Sequence, residues 1–164
     1  MPENLYKTYY QSPLGLLKIE ATEHYIGEVT FAVENVSESV NSTNKLLTEC
    51  VEQLIEYFNG ARLVFNLPIM QNGTTFQMKV WNELMNIEFG KTINYMTLAR
   101  NLGDSKCIRA AASSNGKNHI AIIVPCHRVI GSNQSLVGYA GGLWRKKWLL
   151  DHENKIANGV QTLF

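Results

Sequence analysis

Ile120-Ala121-Ile122-Ile123-Val124-Pro125-Cys126-His127-Arg128 joins an apolar run to a thiol, an imidazole and a guanidinium. Pro125 fixes its own φ and steers Val124 to an extended backbone, so the run should end there in a set geometry. Val129-Ile130-Gly131-Ser132-Asn133 then reads as a strand stub closing in a turn. Two readings of Cys126 stand side by side. A free cysteine after an apolar run packs as a small hydrophobe. One with cationic neighbours is favoured as thiolate, the reactive species. In an extended segment adjacent side chains face opposite ways, so His127 needs a bridging water or a bend in the chain to take the thiol proton.

Upstream of this stretch lies a pattern of short helices. Thr75 can cap a helix carrying Phe76, Val80, Trp81, Leu84 and Met85 on one face. Tyr95 to Leu102, the turn Gly103-Asp104-Ser105 and Lys106 to Ser114 then read as a helix-turn-helix. Its second helix, Arg109-Ala110-Ala111-Ala112-Ser113-Ser114, has almost no bulk around one long cation, so it can approach another backbone closely. Cys107 at its start is read as a packing residue. Asn115-Gly116-Lys117-Asn118-His119 makes a polar turn into the apolar run. Downstream, Gly138-Tyr139-Ala140-Gly141-Gly142 is a flexible segment before a final helix from Leu143 to His152. Leu143, Trp148, Leu149 and Leu150 are its apolar residues and Arg145, Lys146 and Lys147 its basic ones, with Glu153 near its end.

The first half has a different texture. Leu5–Gln11, Leu16–Ala21 and Ile26–Phe31 predict three antiparallel strands, the first two joined at Ser12-Pro13-Leu14-Gly15. Asn35 to Thr43 is polar and predicts a loop. Leu46, Leu47, Cys50, Val51, Leu54, Ile55 and Phe58 recur at helical spacing between Asn44 and Asn59, with Gly60 as the stop. Cys50 sits on that stripe and is read as core; His24, in a turn, is read as solvated. The chain thus reads as α+β, with a sheet-and-helix domain over residues 1–72 and a mostly helical one over 73–164.

Totals narrow the function. The chain has 164 residues and a formal charge of +1, but residues 1–72 hold four basic against nine acidic side chains, and residues 73–164 eleven against five. A basic second half points to a polyanionic partner. Three cysteines without a C-x-x-C pair speak against a disulfide framework and a structural zinc site, and favour a reducing cytoplasm. No run approaches the eighteen apolar residues of a membrane span, and the start lacks a signal-peptide core.

Pro125-Cys126-His127-Arg128, with Tyr95, Arg109, Asn115-Gly116-Lys117-Asn118, Tyr139-Ala140-Gly141-Gly142 and Leu149-Leu150-Asp151-His152-Glu153 in that order, resembles the methylated-DNA–protein-cysteine methyltransferases, the O6-alkylguanine-DNA alkyltransferases. The likeness is close over residues 76–154. It implies an α/β domain packed on a helical domain that bears the helix-turn-helix. It also implies irreversible, single-turnover transfer of an alkyl group from O6 of guanine, with O4 of thymine as a further candidate, after base flipping.

Position by position, the resemblance makes Cys126 the acceptor, His127 the base acting through a water, and Glu153 the carboxylate that orients it. Asn118 braces the turn, and Tyr95 crowds the target phosphate. Arg109 is the finger that fills the vacated stack, with Ala110, Ser113, Tyr95 and Arg128 as further DNA contacts. Val129, Tyr139, Ala140 and Gly141 line the base pocket, where the carbonyls of Cys126 and Val129 can accept from the exocyclic amine. The Tyr95 hydroxyl and the Ala140 N–H are candidate donors to the departing guanine. The partner implied is duplex DNA entered from the minor groove, met by a monomer without metal or organic cofactor. Two positions depart from the pattern: many relatives carry proline at His119 and Ala121, which bears on the alkyl groups accepted. Competing readings are a damage-binding protein without transfer, a cysteine-sensing helix-turn-helix regulator, and a cysteine hydrolase.

Overall fold

A computed structural model describes residues 4–32 and 42–159, so the loop expected from Asn35 lies outside the described residues up to residue 41. These residues fall into two units. The first runs to Gln71 and includes His119–Ala121; the second holds Asn72–Asn118 and the chain from Ile122 onward.

In the first unit, strands β1 (Tyr6–Ser12), β2 (Gly15–Ala21) and β3 (Ile26–Phe31) form the expected antiparallel sheet in chain order. Ser12 pairs with Gly15, and the Ser12 hydroxyl accepts from the Leu14 N–H and donates to the Gly15 carbonyl. Gly15 takes φ 110°, which only glycine adopts freely. Alternate β2 residues Leu17, Ile19 and Ala21 are fully buried. Helix α1 (Lys45–Phe58) packs on the sheet and buries Leu47, Cys50, Leu54 and Tyr57. Asn44 caps it, accepting from the Leu47 N–H at 2.8 Å and donating to the Thr22 carbonyl at 3.1 Å. Burial pushes the Cys50 thiol up to about 12, so it is inert core.

The free edge of β3 is covered by returning chain. Ile26 bridges to Ile69, and Val29 exchanges hydrogen bonds with the His119 carbonyl and the Ala121 N–H, at 2.9 and 2.8 Å. The His119 N–H donates to Gln71. His119 and Ala121, the two positions where the resemblance leads one to expect proline, therefore each use an N–H that proline lacks.

The second unit is mostly helical: α2 (Thr75–Leu84), α3 (Tyr95–Asn101), α4 (Ile108–Gly116) and α5 (Leu143–Asn158). Two short strands, β4 (Ile93–Asn94) and β5 (Val129–Ile130), pair in parallel. The cap of α2 is Thr74, one residue before the expected Thr75. Its hydroxyl accepts from Gln77 while the Gln77 side chain accepts from the Thr74 N–H, the reciprocal capping box. Thr74→Ala should cost about 1 kcal/mol of unfolding free energy in a denaturant titration, with Thr74→Ser close to wild type. On α2, Val80, Trp81 and Leu84 are buried as expected, but Met85 is exposed.

Helices α3 and α4 form the helix-turn-helix. Asn94 caps α3, Gly103 turns the chain at φ 97°, and Asp104 caps a single 3₁₀ turn leading into α4. The Trp81 indole donates to the Ser114 carbonyl at 2.9 Å and ties α2 to α4. The Cys107 thiol points at the Ala99 carbonyl, a packing role. Helix α5 runs six residues past the expected His152, so Glu153 lies in its interior.

Candidate active site

The chain reaches the cysteine by a bend rather than by the expected extended segment. Only Ile120 is bridged to a strand; residues 121–123 form a turn in which the buried Ile122 takes φ 72°. A β-branched residue rarely adopts that conformation, so this apolar run gives no local sign of its turn. Cys126–Arg128 then forms one 3₁₀ turn, capped by Pro125. With three residues per turn, Cys126 and His127 are not forced to opposite faces as on a strand. The Cys126 N–H folds back to the Val124 carbonyl at 2.8 Å.

Two amides at the end of α4 hold this turn. Asn118 donates to the Val124 carbonyl at 2.9 Å, and Asn115 donates to the Cys126 carbonyl at 3.3 Å. Burial is the largest influence on the thiol and pushes it up; the Asn118 side chain, the Lys146 ammonium and the cysteine's own backbone N–H pull it back in part. The neighbouring His127 and Arg128 are not among these pulls, and desolvation outweighs those that are, so burial favours the protonated thiol.

Arg128 corrects an expectation. Expected on the DNA surface, it is buried, with its guanidinium bonded inside the unit. Its Nε and Nη2 donate to Glu153 Oε1 and Oε2 at 2.8 and 3.0 Å, and Nη1 to the Ile87 carbonyl at 2.6 Å. Phe89 lies beneath it, 5.7 Å from ring centre to guanidinium carbon. Gly90, at φ 79°, brings its N–H to Glu153 Oε1 at 3.4 Å; a Cβ there would collide with the Ala157 side chain.

His127 is fully buried, and its Nε2 meets Glu153 Oε2 at 2.7 Å. Burial lowers the imidazole, Glu153 raises it, and Arg128 and Lys146 lower it further, leaving it below its ordinary value. At neutral pH the ring is uncharged. An ionised carboxylate only accepts, so the single ring proton sits on Nε2 and Nδ1 offers a lone pair. Among the described residues that Nδ1 has no hydrogen-bond partner. Burial alone would raise the Glu153 carboxyl, but His127 and Arg128 outweigh it and hold the group well below the usual carboxylate range.

Two phenols border the cysteine. Tyr95, at the start of α3, aims its hydroxyl at the Val137 carbonyl at 3.4 Å; burial and Cys126 raise it, partly offset by Asn115. The Tyr139 hydroxyl is buried without a partner, and burial and Cys126 push it well above its ordinary value. Ala140 is exposed, and the Gly141 carbonyl accepts from Arg145 at 3.0 Å. Of the two carbonyls expected to face the base, that of Cys126 already holds Asn115 and that of Val129 holds Lys146 at 2.7 Å. Arg109, Ala110 and Ser113 lie exposed on α4 while Ala111, Ser114 and Asn115 are buried beneath them.

Of the basic residues of α5, Lys146 is fully buried, and of its apolar ones Leu143 is exposed. The sequence signal existed: Lys146, Leu149, Leu150 and Glu153 share one helical face at i, i+3, i+4 and i+7. A lysine on that face reads as an interruption of it. No group of three or more potential metal ligands occurs among the described residues. No helix among them is long and apolar enough to cross a membrane.

Two family profiles cover most of the chain. That of the 6-O-methylguanine DNA methyltransferase ribonuclease-like domain matches residues 5–71, and that of the 6-O-methylguanine DNA methyltransferase DNA binding domain matches residues 75–155. The constitutive methylated-DNA–protein-cysteine methyltransferase of Bacillus subtilis is 41% identical over 143 residues, covering 83% of this chain and 87% of that protein. The methyltransferase of Methanosarcina acetivorans is 39% identical over 153 residues, covering 91% and 98%. Among solved structures, the O6-methylguanine methyltransferase of Mycobacterium tuberculosis superposes with a TM-score of 0.85 at 33% identity, covering 96% of this chain and 97% of that one. The same organism's protein in complex with DNA gives 0.84 at 34% identity, covering 92% and 94%.

Proposed function

Because this chain belongs to the methylated-DNA–protein-cysteine methyltransferase family, we propose that Cys126 is the residue that takes the methyl group. The chain is an O6-methylguanine DNA methyltransferase: it binds DNA and repairs it by methyl transfer to an active cysteine. The observation that carries the assignment to Cys126 is the buried His127, its Nε2 against Glu153 and its Nδ1 without a hydrogen-bond partner among the described residues, one residue from the thiol.

In this reading the resting thiol is protonated. Its proton passes through one water to His127 Nδ1, and the sulfur electron pair attacks the methyl carbon. The carbon–O6 bond breaks and its electrons return to the guanine, which takes up one proton and remains in the strand as unmodified guanine. The Tyr95 hydroxyl and the Ala140 N–H are the candidate hydrogen-bond donors to the departing guanine, and the proton itself returns from the His127 imidazolium or from solvent through water. The imidazolium formed on the way is held by Glu153, whose ionised carboxylate is already in place. The thioether product is stable, so each chain acts once.

Transfer requires the base to leave the duplex, at a cost of a few kcal/mol. Arg109, exposed and without a hydrogen bond or ion pair among the described residues, is the finger, and small Ala110 and Ser113 beside it permit close approach in the minor groove. Arg109→Ala should slow transfer on duplex DNA about tenfold, a loss of about 1.4 kcal/mol, and leave single-stranded substrate nearly unaffected. Equal losses on both would remove the finger. The reading as a whole is tested by incubating the protein with a duplex holding one O6-methylguanine. One gain of about 14 Da on the peptide containing Cys126 is expected, and a methyl found on Cys50, Cys107 or nowhere would overturn it.

A further inference from the structure

His127 Nδ1, Tyr139 Oη, Asn154 Nδ2 and Asn115 Oδ1 are buried polar atoms without a hydrogen-bond partner among the described residues. The first belongs to the proton route, and the tyrosine hydroxyl can turn its proton to donate or accept. Asn154 already holds Asn158 through its side-chain oxygen at 2.8 Å. Asn115 Oδ1 is different: it is a fixed acceptor beside the cysteine.

Asn115 sits in the last turn of α4 and is 3% exposed. Neighbouring bonds hold it there, from the Trp81 indole to the Ser114 carbonyl at 2.9 Å and from the Asn118 N–H to the Asn115 carbonyl at 3.3 Å. Its side chain donates through Nδ2 to the Cys126 carbonyl at 3.3 Å. That bond settles which end of the amide is which, since turning it round would set two acceptor oxygens face to face. Both lone pairs of Oδ1 are therefore unspent, at a distance from the nucleophile fixed by the other end of the same amide. A buried acceptor without a donor is costly, and keeping one beside a reactive group points to a donor that arrives with the substrate.

The base supplies such a donor. Guanine alkylated at O6 has lost its ring N1 proton, so its exocyclic amine is the one N–H donor left on the pairing edge. The two carbonyls expected to take that amine already hold Asn115 and Lys146. We propose that Asn115 is a specificity-determining residue for methyl transfer, its Oδ1 accepting from the exocyclic amine of the flipped guanine. Thymine alkylated at O4 carries no amine and would turn a carbonyl oxygen to the same atom, so Asn115 favours the guanine lesion. Helix α4 then serves both sides of the reaction, with Arg109 on its exposed face and Asn115 on its buried one. The proposal rests on Cys126 being the acceptor of a flipped base.

The experiment compares two duplexes that differ by one group: O6-methylguanine, and O6-methylhypoxanthine, which lacks the exocyclic amine. Single-turnover rates are followed by mass on the peptide holding Cys126. The wild type should act about tenfold faster on the guanine lesion, because the analogue leaves Oδ1 without its donor. In Asn115→Leu, similar in shape but unable to accept, the ratio should fall to about one. Loss of the bond to the Cys126 carbonyl slows both substrates alike, so an asparagine with a merely structural role would leave the ratio at its wild-type value, and that result overturns the proposal. Asn115→Ser, too short to reach the amine, should show the same collapse and decides the matter should the leucine variant not fold. A wild-type ratio of about one, the result if a resident water satisfies Oδ1, overturns the proposal as well. Methyl on a cysteine other than Cys126 would remove the acceptor reading, whereas methyl on Cys126 with an undiminished ratio in the variants would remove the role of Asn115 alone.

Discussion

If Cys126 is the acceptor, as proposed, Cys126→Ala should abolish methyl transfer outright, and Cys126→Ser should leave no transfer above the uncatalysed background. A serine hydroxyl keeps the shape but remains protonated where a thiol ionises, and a neutral imidazole is too weak a base to deprotonate it at a saturated carbon. Both variants should still bind duplex DNA with wild-type salt dependence. The exposed face of Arg109, Ala110 and Ser113 lies on α4, away from the substitution in sequence, and phosphate contacts supply most of such affinity. Mass spectrometry of the protein after incubation, beside a binding isotherm at two salt concentrations, separates the two losses. Transfer persisting at full level in the alanine variant would place the chemistry on another residue. Neither remaining cysteine is suited to it: Cys50 is inert core, and Cys107 spends its thiol on the Ala99 carbonyl.

The sheet is legible because its residues are arranged by a local rule. Leu17, Ile19 and Ala21 alternate, Ser12-Pro13-Leu14-Gly15 is a turn by chemistry, and the α1 stripe ends at a glycine. The helix-turn-helix is legible for the same reason, since capping and the Gly103 turn are written in adjacent residues. The approach to Cys126 is not. Ile122-Ile123-Val124 has the composition of a strand, and its turn, with Ile122 at positive φ, is imposed by what the ends are tied to: Ala121 to Val29 on one side, Val124 to Asn118 on the other. Such ties are visible only in three dimensions.

Charged residues show the same divide. Glu153 and His127 are paired by family resemblance, which draws on position and not on local pattern. Arg128 and Lys146 carry the same charge as the exposed Arg109, and composition cannot tell a cation that meets phosphate from one that is buried against a carboxylate or carbonyls. What distinguishes them is helical phase for Lys146 and the partner Glu153, twenty-five residues away, for Arg128. A charge count therefore overstates the DNA-facing surface of the second half by at least these two residues.

Glu153→Gln is the substitution expected to do most damage to fold and chemistry together. The carboxylate accepts from His127, twice from Arg128 and from Gly90, and the amide can neither carry the charge nor accept at both ends. Removing one partner of a buried ion pair typically costs 3–5 kcal/mol because the other is left uncompensated, so the second unit should melt on the order of 10 °C lower. Transfer at neutral pH should fall by about 10²–10⁴-fold as His127 loses the group that fixes its tautomer. The pH dependence of stability gives a sharper check. Glu153 is held below its ordinary 4.5 and His127 below its ordinary 6.5, so at acid pH the unfolded chain binds more protons than the folded one. Both contributions are present in full above those ordinary values and are lost as pH falls, from about 6.5 for His127 and from about 4.5 for Glu153, down through the folded values. In denaturant titrations the wild type should therefore weaken in two stages on acidification. The glutamine variant starts weaker and lacks the second stage, because it has no carboxyl to protonate. Parallel curves for the two proteins below about pH 4.5 would mean that Glu153 is not ionised in the folded chain, and the account of a carboxylate waiting to receive the imidazolium would have to be given up.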